Sequence, residues 1–226
     1  MPADTIKTKT AFSERAYREI KRRIQENELA AGFQATEAQV SDMLGMSRTP
    51  VREALLRLES EGLLELLPRH GMRVLPISPS DMRDIYQILA VLEASAVEQA
   101  AASGLPDDQI GDLEQAVADM DMALEADDLD AWVEADERFH ELIVGACGNK
   151  RLAAVVGTFL GQTRRVRTLT VNMRPRPVAS NRAHAAVVDA IKRRDPDAAW
   201  IIHKKHRMQA GEMLADLFEA VGLKRL

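Results

Sequence analysis

The sequence predicts a mainly α protein, with a small mixed head followed by an antiparallel bundle of about six helices. Three observations carry this reading. Ala, Leu and Met are plentiful while aromatics make up only 4% of residues, which favours helix–helix packing. Apolar residues recur at helical spacing along most of the chain. One stretch, "LLELLPRHGMRVLPI", instead sets two short apolar runs around a Pro-Arg-His-Gly turn and reads as a β-hairpin.

Residues 11–28 place Ala16, Ile20 and Ile24 on one face, with Ser13 as a candidate cap. Gly32 interrupts in "LAAGF". A second, short helix follows from Thr36, with Val40 and Leu44 on one side, and Gly45 ends it. Ser47 caps a third helix, "SRTPVREALLRLESEG". Pro50 lies in its first turn, where the missing N–H costs nothing. Val51, Leu55 and Leu58 form its inner face and Gly62 stops it. After the hairpin, "PISPSD" reads as a linker, with Ser80 or Asp81 able to cap the next helix. Six helices are expected near 80–102, 107–126, 128–147, 149–171, 178–194 and 196–221. The chain thus divides into residues 1–76 and 77–226.

The bulk composition narrows the function. At 226 residues, 46% apolar and 29% charged, the chain suits a soluble globular protein of two modest domains. Cys147 stands alone, which rules out an intramolecular disulfide and reads best as a small buried residue. No apolar run reaches the length of a membrane span, and "MPADTIKTKTAFSER" lacks a signal-peptide core, so a cytoplasmic protein is expected. The net charge of −5 is uneven. Residues 1–76 carry 12 Lys and Arg against 11 Asp and Glu, and residues 1–25 carry 7 against 3. A locally basic face on an acidic protein permits nucleic-acid contact.

Two short helices, a tight Gly turn, a third helix and a hairpin compose a winged helix-turn-helix. The first turn of the third helix offers Ser47, Arg48, Thr49 and Arg52 outward. Arg can bond both acceptors of a guanine edge, and a helix N-terminus suits phosphate. Arg69, His70 and Gly71 form a small basic tip able to follow the DNA backbone or minor groove. Any single Arg here, Arg57 included, reads better as part of a solvated face with Glu53 and Glu61 as partners; the ordered set of elements is what favours DNA. "LAAGFQATEAQVSDMLGMSRTPVREALLRLESEGLLELLPRHGMRV" resembles the DNA-binding domain of the GntR family of bacterial transcription regulators, over roughly residues 12–76. The resemblance implies that Arg48, Thr49 and Arg52 read bases or phosphates, with Arg57 near the backbone and residues 69–71 as the wing. Ala38 follows Glu37 where that family usually carries a basic residue.

In the body, Leu129, Trp132, Val133, Phe139, Ile143 and Ala146 define an apolar stripe with Asp136 and His140 in its middle. Positions i and i+4 share a helix face, and a buried unpaired carboxylate needs a partner. His184 is in register with Val187, Val188 and Ile191, and His206 with Ala199, Ile202, Ala210 and Met213, while His203 lies at that stripe's edge. Three inward histidines and a carboxylate suit a divalent transition metal such as Zn, Ni, Co or Mn, although each member alone also reads as a satisfied core residue.

"EADERFHELIVGACGNKRL", "NRAHAAVVDAIKRRDPDAAW" and "HKKHRM" resemble the FCD ligand-binding domain of the FadR-type branch of GntR regulators. Six helices resemble its shorter, VanR-type subgroup. The metal-binding pattern of that domain, an Asp, a His four later and two His 22 apart, falls on Asp136, His140, His184 and His206; His203 does not fit it. The resemblance further implies a small carboxylate effector at the metal. Leu89 occupies the place of an Arg common in that pocket, and Arg164, Arg165 and Arg167 are candidate substitutes. An exposed basic face is the plainer expectation for at least two of those three.

The expectation is a metabolite-responsive regulator, a homodimer on an inverted repeat of operator DNA and most commonly a repressor. The linker at Pro76–Pro79 would pass effector binding to the heads. Two rival readings use the same four residues: a metal-dependent hydrolase, for which Glu137 is the nearest base but off the stripe, and a purely structural metal.

Overall fold

A computed structural model describes residues 3–220, and these form two compact units, one ending at Ile77 and one beginning at Ser78. The first contains α1 (Ala3–Gln25), β1 (Gln34–Ala35), α2 (Glu37–Leu44), α3 (Arg48–Ser60), β2 (Leu64–Leu67) and β3 (Gly71–Val74). Ala16, Ile20 and Ile24 of α1 pack with Val51, Leu55 and Leu58 of α3 in a core closed by Leu64, Met72 and Val74. The helix α1 begins well before residue 11, so Ser13 is no cap; its hydroxyl donates to Glu53 on α3. Thr36 and Gln39 form a capping box at α2, and Gly45 closes that helix in the left-handed region at φ 61°. Ser47 takes the extended N-cap conformation of α3, but its hydroxyl makes no capping bond.

The wing is three-stranded, in the order β1-β3-β2 and antiparallel throughout, with Leu64 opposite Val74 and Gln34 opposite Arg73. The strand β1 is too short to announce itself by alternation, and the sequence reading missed it. Its closeness explains Gly71. At φ 83°, a Cβ on that residue would lie 2.1 Å from the Ala35 carbonyl oxygen.

The second unit contains α4 (Pro79–Ser103), α5 (Asp107–Glu125), α6 (Leu129–Ala146), α7 (Lys150–Thr170), a 3-10 turn (Val171–Met173), α8 (Val178–Lys192) and α9 (Pro196–Ala220). The expected helices match these spans within a residue or two; the expected end of the last, at 221, lies outside the described residues. Ser78, rather than Ser80 or Asp81, caps α4, in a box completed by Asp81, with Pro79 in the first turn. Helices α4 and α9 pack closely, since a Cβ on Gly211 would lie 2.5 Å from that of Tyr86. Leu89, Phe139, Ile143, Val187 and Ala199 fill the core between the helices.

Candidate functional site

In the first unit, helix α3 buries Pro50, Val51, Ala54, Leu55 and Leu58 and turns Ser47, Arg48, Thr49 and Arg52 to solvent. The Arg52 side chain is 67% exposed and lies 3.8 Å from Glu37, a loose contact that leaves it free to reorient. Arg57 is engaged differently. Its guanidinium stacks 3.5 Å from the Tyr17 ring centre and pairs with Glu14 at 2.9 Å and Glu61 at 3.3 Å, joining α3 to α1. Arg69 and His70 are exposed at the wing tip, Arg69 with a φ of 66°.

In the second unit, five helices deliver polar side chains to one buried place. Asp136 and His140 come from α6, Arg167 from α7, His184 from α8, Glu93 from α4, and His203, His206 and Arg207 from α9. One ring nitrogen from each of His140, His184 and His206 lies within 4.8 Å of the other two. His184 Nε2 stands 2.8 Å from Asp136 Oδ1, and His140 Nε2 is 3.7 Å from the same oxygen. Arg167 donates to the other oxygen, Oδ2. Phe139 stacks on His184 at 4.3 Å between ring centres, fixing its plane.

Behind His140 lies a second carboxylate. Glu93 Oε2 is 2.9 Å from His140 Nδ1, off the line of a good hydrogen bond, and 2.8 Å from His203 Nε2. Arg207 grips both Glu93 oxygens, at 2.8 and 2.6 Å. Glu93, His140 and His203 also converge closely enough to ligate. The bidentate Arg207 already neutralises that carboxylate, so this group reads as a closed ion-pair set.

The electrostatics follow from burial and pairing. Burial pushes the Asp136 and Glu93 carboxyls up, but Arg167 and His140 on one side, and Arg207 and His140 on the other, hold both well below the usual carboxylate range. Burial pulls His184 and His203 down to about 4 against the opposing pull of their carboxylates. Burial and the neighbouring histidines hold His206 well below the usual histidine range. Neutral imidazoles beside an ionised carboxylate are the protonation state that a divalent cation requires. Among the described residues the buried nitrogens His140 Nε2 and His184 Nδ1 have no hydrogen-bond partner, a deficit that an ion or its bound water would relieve at His140. The residues therefore fit a metal.

Beside these residues opens a cavity of about 260 Å³. Asp136, His140 and His206 reach its wall, with Tyr86 and Trp132 as aromatic faces and Arg167, Arg174, Arg176 and Arg207 as cations.

Residues 12–74 match the family described as "Bacterial regulatory proteins, gntR family", and residues 84–207, more than half of the chain, match the FCD domain. The chain belongs to the GntR family, in its FCD-containing branch. It is a transcriptional regulator with a DNA-binding helix-turn-helix and an effector-binding FCD domain. The HTH-type transcriptional repressor RspR of Escherichia coli strain K12 is 28% identical over 205 residues, spanning 91% of this chain and 90% of that protein. An HTH-type regulator from the TAR-I ttuE-ttuC' intergenic region of Agrobacterium vitis is 41% identical over 134 residues, 58% of this chain and 78% of that one. These relatives are named as regulators, not as enzymes. Among solved structures, E. coli McbR/YncC superposes with a TM-score of 0.76 at 20% identity over 93% of this chain and 98% of its own. The metal-free FCD domain of TM0439 gives 0.52 at 20% identity, over 64% of this chain and 98% of its own. At such identities the superpositions speak for the fold alone.

Several sequence expectations for this GntR regulator change on the structure. On α9 the buried face is Ala199, His203, Arg207, Gly211 and Leu214, one position round from the expected stripe. His203 is therefore a core residue, while His206 is only partly covered, at the cavity wall. Of the four suggested pocket residues, Arg167 lines the cavity. Leu89 is fully buried in the apolar core, and Arg164 pairs with Glu137 at 3.1 Å. Arg165 and Arg167 are both buried, so the exposed basic face expected for two of the three arginines is not there. Glu93, Arg207, Arg174 and Arg176 were missed. Glu93 sits between Leu89 and Val97 on a buried face, and the test that found Asp136 would have found it.

Proposed function

We propose that Asp136, His140, His184 and His206 hold one divalent transition metal and that a small carboxylate effector binds beside it, controlling operator binding by the winged head. The observation that carries this reading is the convergence of His140, His184 and His206 beside an ionised Asp136, with Asp136, His140 and His206 reaching the cavity wall. Arg167 would keep Asp136 Oδ2, leaving Oδ1 for the ion. Glu93 would hold His140 through Nδ1 and leave Nε2 to ligate, as carboxylates behind metal-bound histidines do. When bound, the ion supplies a Lewis-acid position for a carboxylate. The protein supplies the cavity, its aromatic walls and its cations. Zn, Ni, Co and Mn all suit such a nitrogen-rich set.

On the DNA side, Ser47, Arg48, Thr49 and Arg52, with the wing tip Arg69, His70 and Gly71, form the reading surface. Arg57 belongs to the α1–α3 lock more than to the interface. Two chains would join through the helical domain, residues 77–226, and set their heads, residues 1–76, on the halves of an inverted repeat. Ile88 and Val91, 39% and 52% exposed on α4, offer apolar surface for that pairing. Effector binding would release the operator, making the protein a repressor. The effector acts through its differential affinity for the DNA-competent and incompetent states.

Binding of the full chain to DNA fragments from its own promoter region tests this reading. Tight, salt-dependent binding that Arg48→Ala and Arg52→Ala weaken is expected. Undiminished binding by both variants would remove the assigned reading surface.

A further inference from the structure

Three of the four cavity arginines are already neutralised. Arg167 is bound by Asp136, and Arg207 by Glu93. Arg176 donates to the Leu124 carbonyl and pairs with Asp127 at 3.2 Å. Arg174 differs. Its Nε and Nη2 are buried and have no hydrogen-bond partner among the described residues. Its guanidinium carbon lies 5.5 Å from the centre of the Trp132 ring, which turns one flank of the group toward an aromatic face. Trp132 is itself fixed, since its Nε1 donates to Asn181 Oδ1 at 2.8 Å and Asn181 donates on to Asp121.

Nε and Nη2 carry three of the five N–H donors of the guanidinium, and leaving buried donors unpaired is costly. Burial presses on its charge, and the neighbouring Arg167 adds to that pressure. Such a group persists where something not covalently part of the chain satisfies it. Arg174 follows the short 3-10 turn at Val171–Met173 and precedes Pro175 and Pro177, so the backbone around it has little freedom to swing it out to water.

We infer that Arg174 is a second anion anchor in the cavity, and that the effector is a small dicarboxylate with one carboxylate at the metal and the other on Arg174. The inference rests on the proposed metal–carboxylate site and adds to it the second charge. Asp136 cancels only part of a divalent ion's charge, so the metal end remains cationic, and Arg174 is a separate cationic point on the same wall. A dianion complements both, whereas a monoacid leaves one unmatched. The volume of about 260 Å³ lies below the roughly 300 Å³ at which pockets for drug-sized ligands begin, which keeps the ligand small.

Calorimetric titration of nickel-loaded full-length protein with chain-matched acids tests this. The pairs are succinate with butyrate, malate with 2-hydroxybutyrate, and glutarate with valerate, each against wild type, Arg174→Gln and Arg174→Lys. At least one diacid should bind wild type about ten- to a hundredfold more tightly than its monoacid. Arg174→Gln should remove that advantage with unchanged nickel content, lowering diacid affinity far more than monoacid affinity, and Arg174→Lys should restore part of it. Monoacid binding with no preference for any diacid, or a preference that survives Arg174→Gln, overturns the role of Arg174 and leaves the metal site standing. No binding by any acid to nickel-loaded wild type overturns the carboxylate reading, and this inference with it.

Discussion

His184 Nε2 stands 2.8 Å from Asp136 Oδ1, and both groups are buried between α6 and α8. The same two atoms would face a bound ion. Metal binding therefore has to replace this contact. His184, at about 4, is already neutral near pH 7, so protons should compete with the ion only as pH falls toward 4. Nickel titrations from pH 8 down to pH 4.5 measure this. A steep loss of affinity between pH 8 and 6 would contradict it.

Removing Glu93 leaves Arg207 buried and unmatched. Glu93→Gln should lower stability by about 3–5 kcal/mol, and Arg207→Met in the same chain should recover much of that loss. Thermal or urea unfolding of the two single variants and the double variant measures the coupling. In variants that still fold, Glu93→Gln should also weaken metal binding by about 10–100-fold, because His140 loses the carboxylate behind it.

Arg52 and Arg57 should separate cleanly. Arg52→Ala should cost about 1–3 kcal/mol in operator binding with no change in unfolding temperature. Arg57→Ala breaks the stack on Tyr17 and the pairs with Glu14 and Glu61, so about 1 kcal/mol of stability should go with it. Fluorescence anisotropy on labelled DNA and thermal melts read the two effects.

The helices of the body were legible almost to the residue because Gly, Pro and Asp punctuate a strong 3.6-residue pattern. The buried face of α9 was not. Its row of Ala199, His203, Arg207 and Gly211 contains a His, an Arg and a Gly, and a search for apolar stripes passes over it in favour of Ile202, Ala210 and Met213. Glu93 could have been read from its place between Leu89 and Val97, but its pairing with Arg207 could not, since that residue lies 114 positions away and only the fold joins them. Arg174 sits in a stretch read as a mere break between helices. The strand β1 escaped because two residues cannot show a period.

Gly71→Ala should damage the wing. It forces a Cβ against the Ala35 carbonyl at a φ of 83°, and the left-handed backbone alone costs about 1–2 kcal/mol. Reduced operator affinity with unchanged metal content is expected. Loss of both together would mean that the substitution had disturbed the second unit as well.

The metal-free protein should be acid-sensitive. His184 and His203 have folded values of about 4, below the 6.5 of a free histidine, so the unfolded chain binds more protons between those values. Their contribution is fully present above pH 6.5 and is lost as pH falls toward 4, by about 3 kcal/mol each below that point. Asp136 and Glu93, also depressed, shift stability in the same direction at lower pH still. Urea midpoints measured from pH 7 to pH 4 on chelator-treated protein should decline steadily through this window.

The central claim is that the three histidines and Asp136 gather one ion. Elemental analysis of purified wild type, His184→Ala and His206→Ala, each reconstituted with nickel or zinc and then desalted, tests it most directly. About one metal per chain in wild type, with strong loss in both variants, is the predicted result. Equal metal content in all three proteins, or none in wild type, would contradict it.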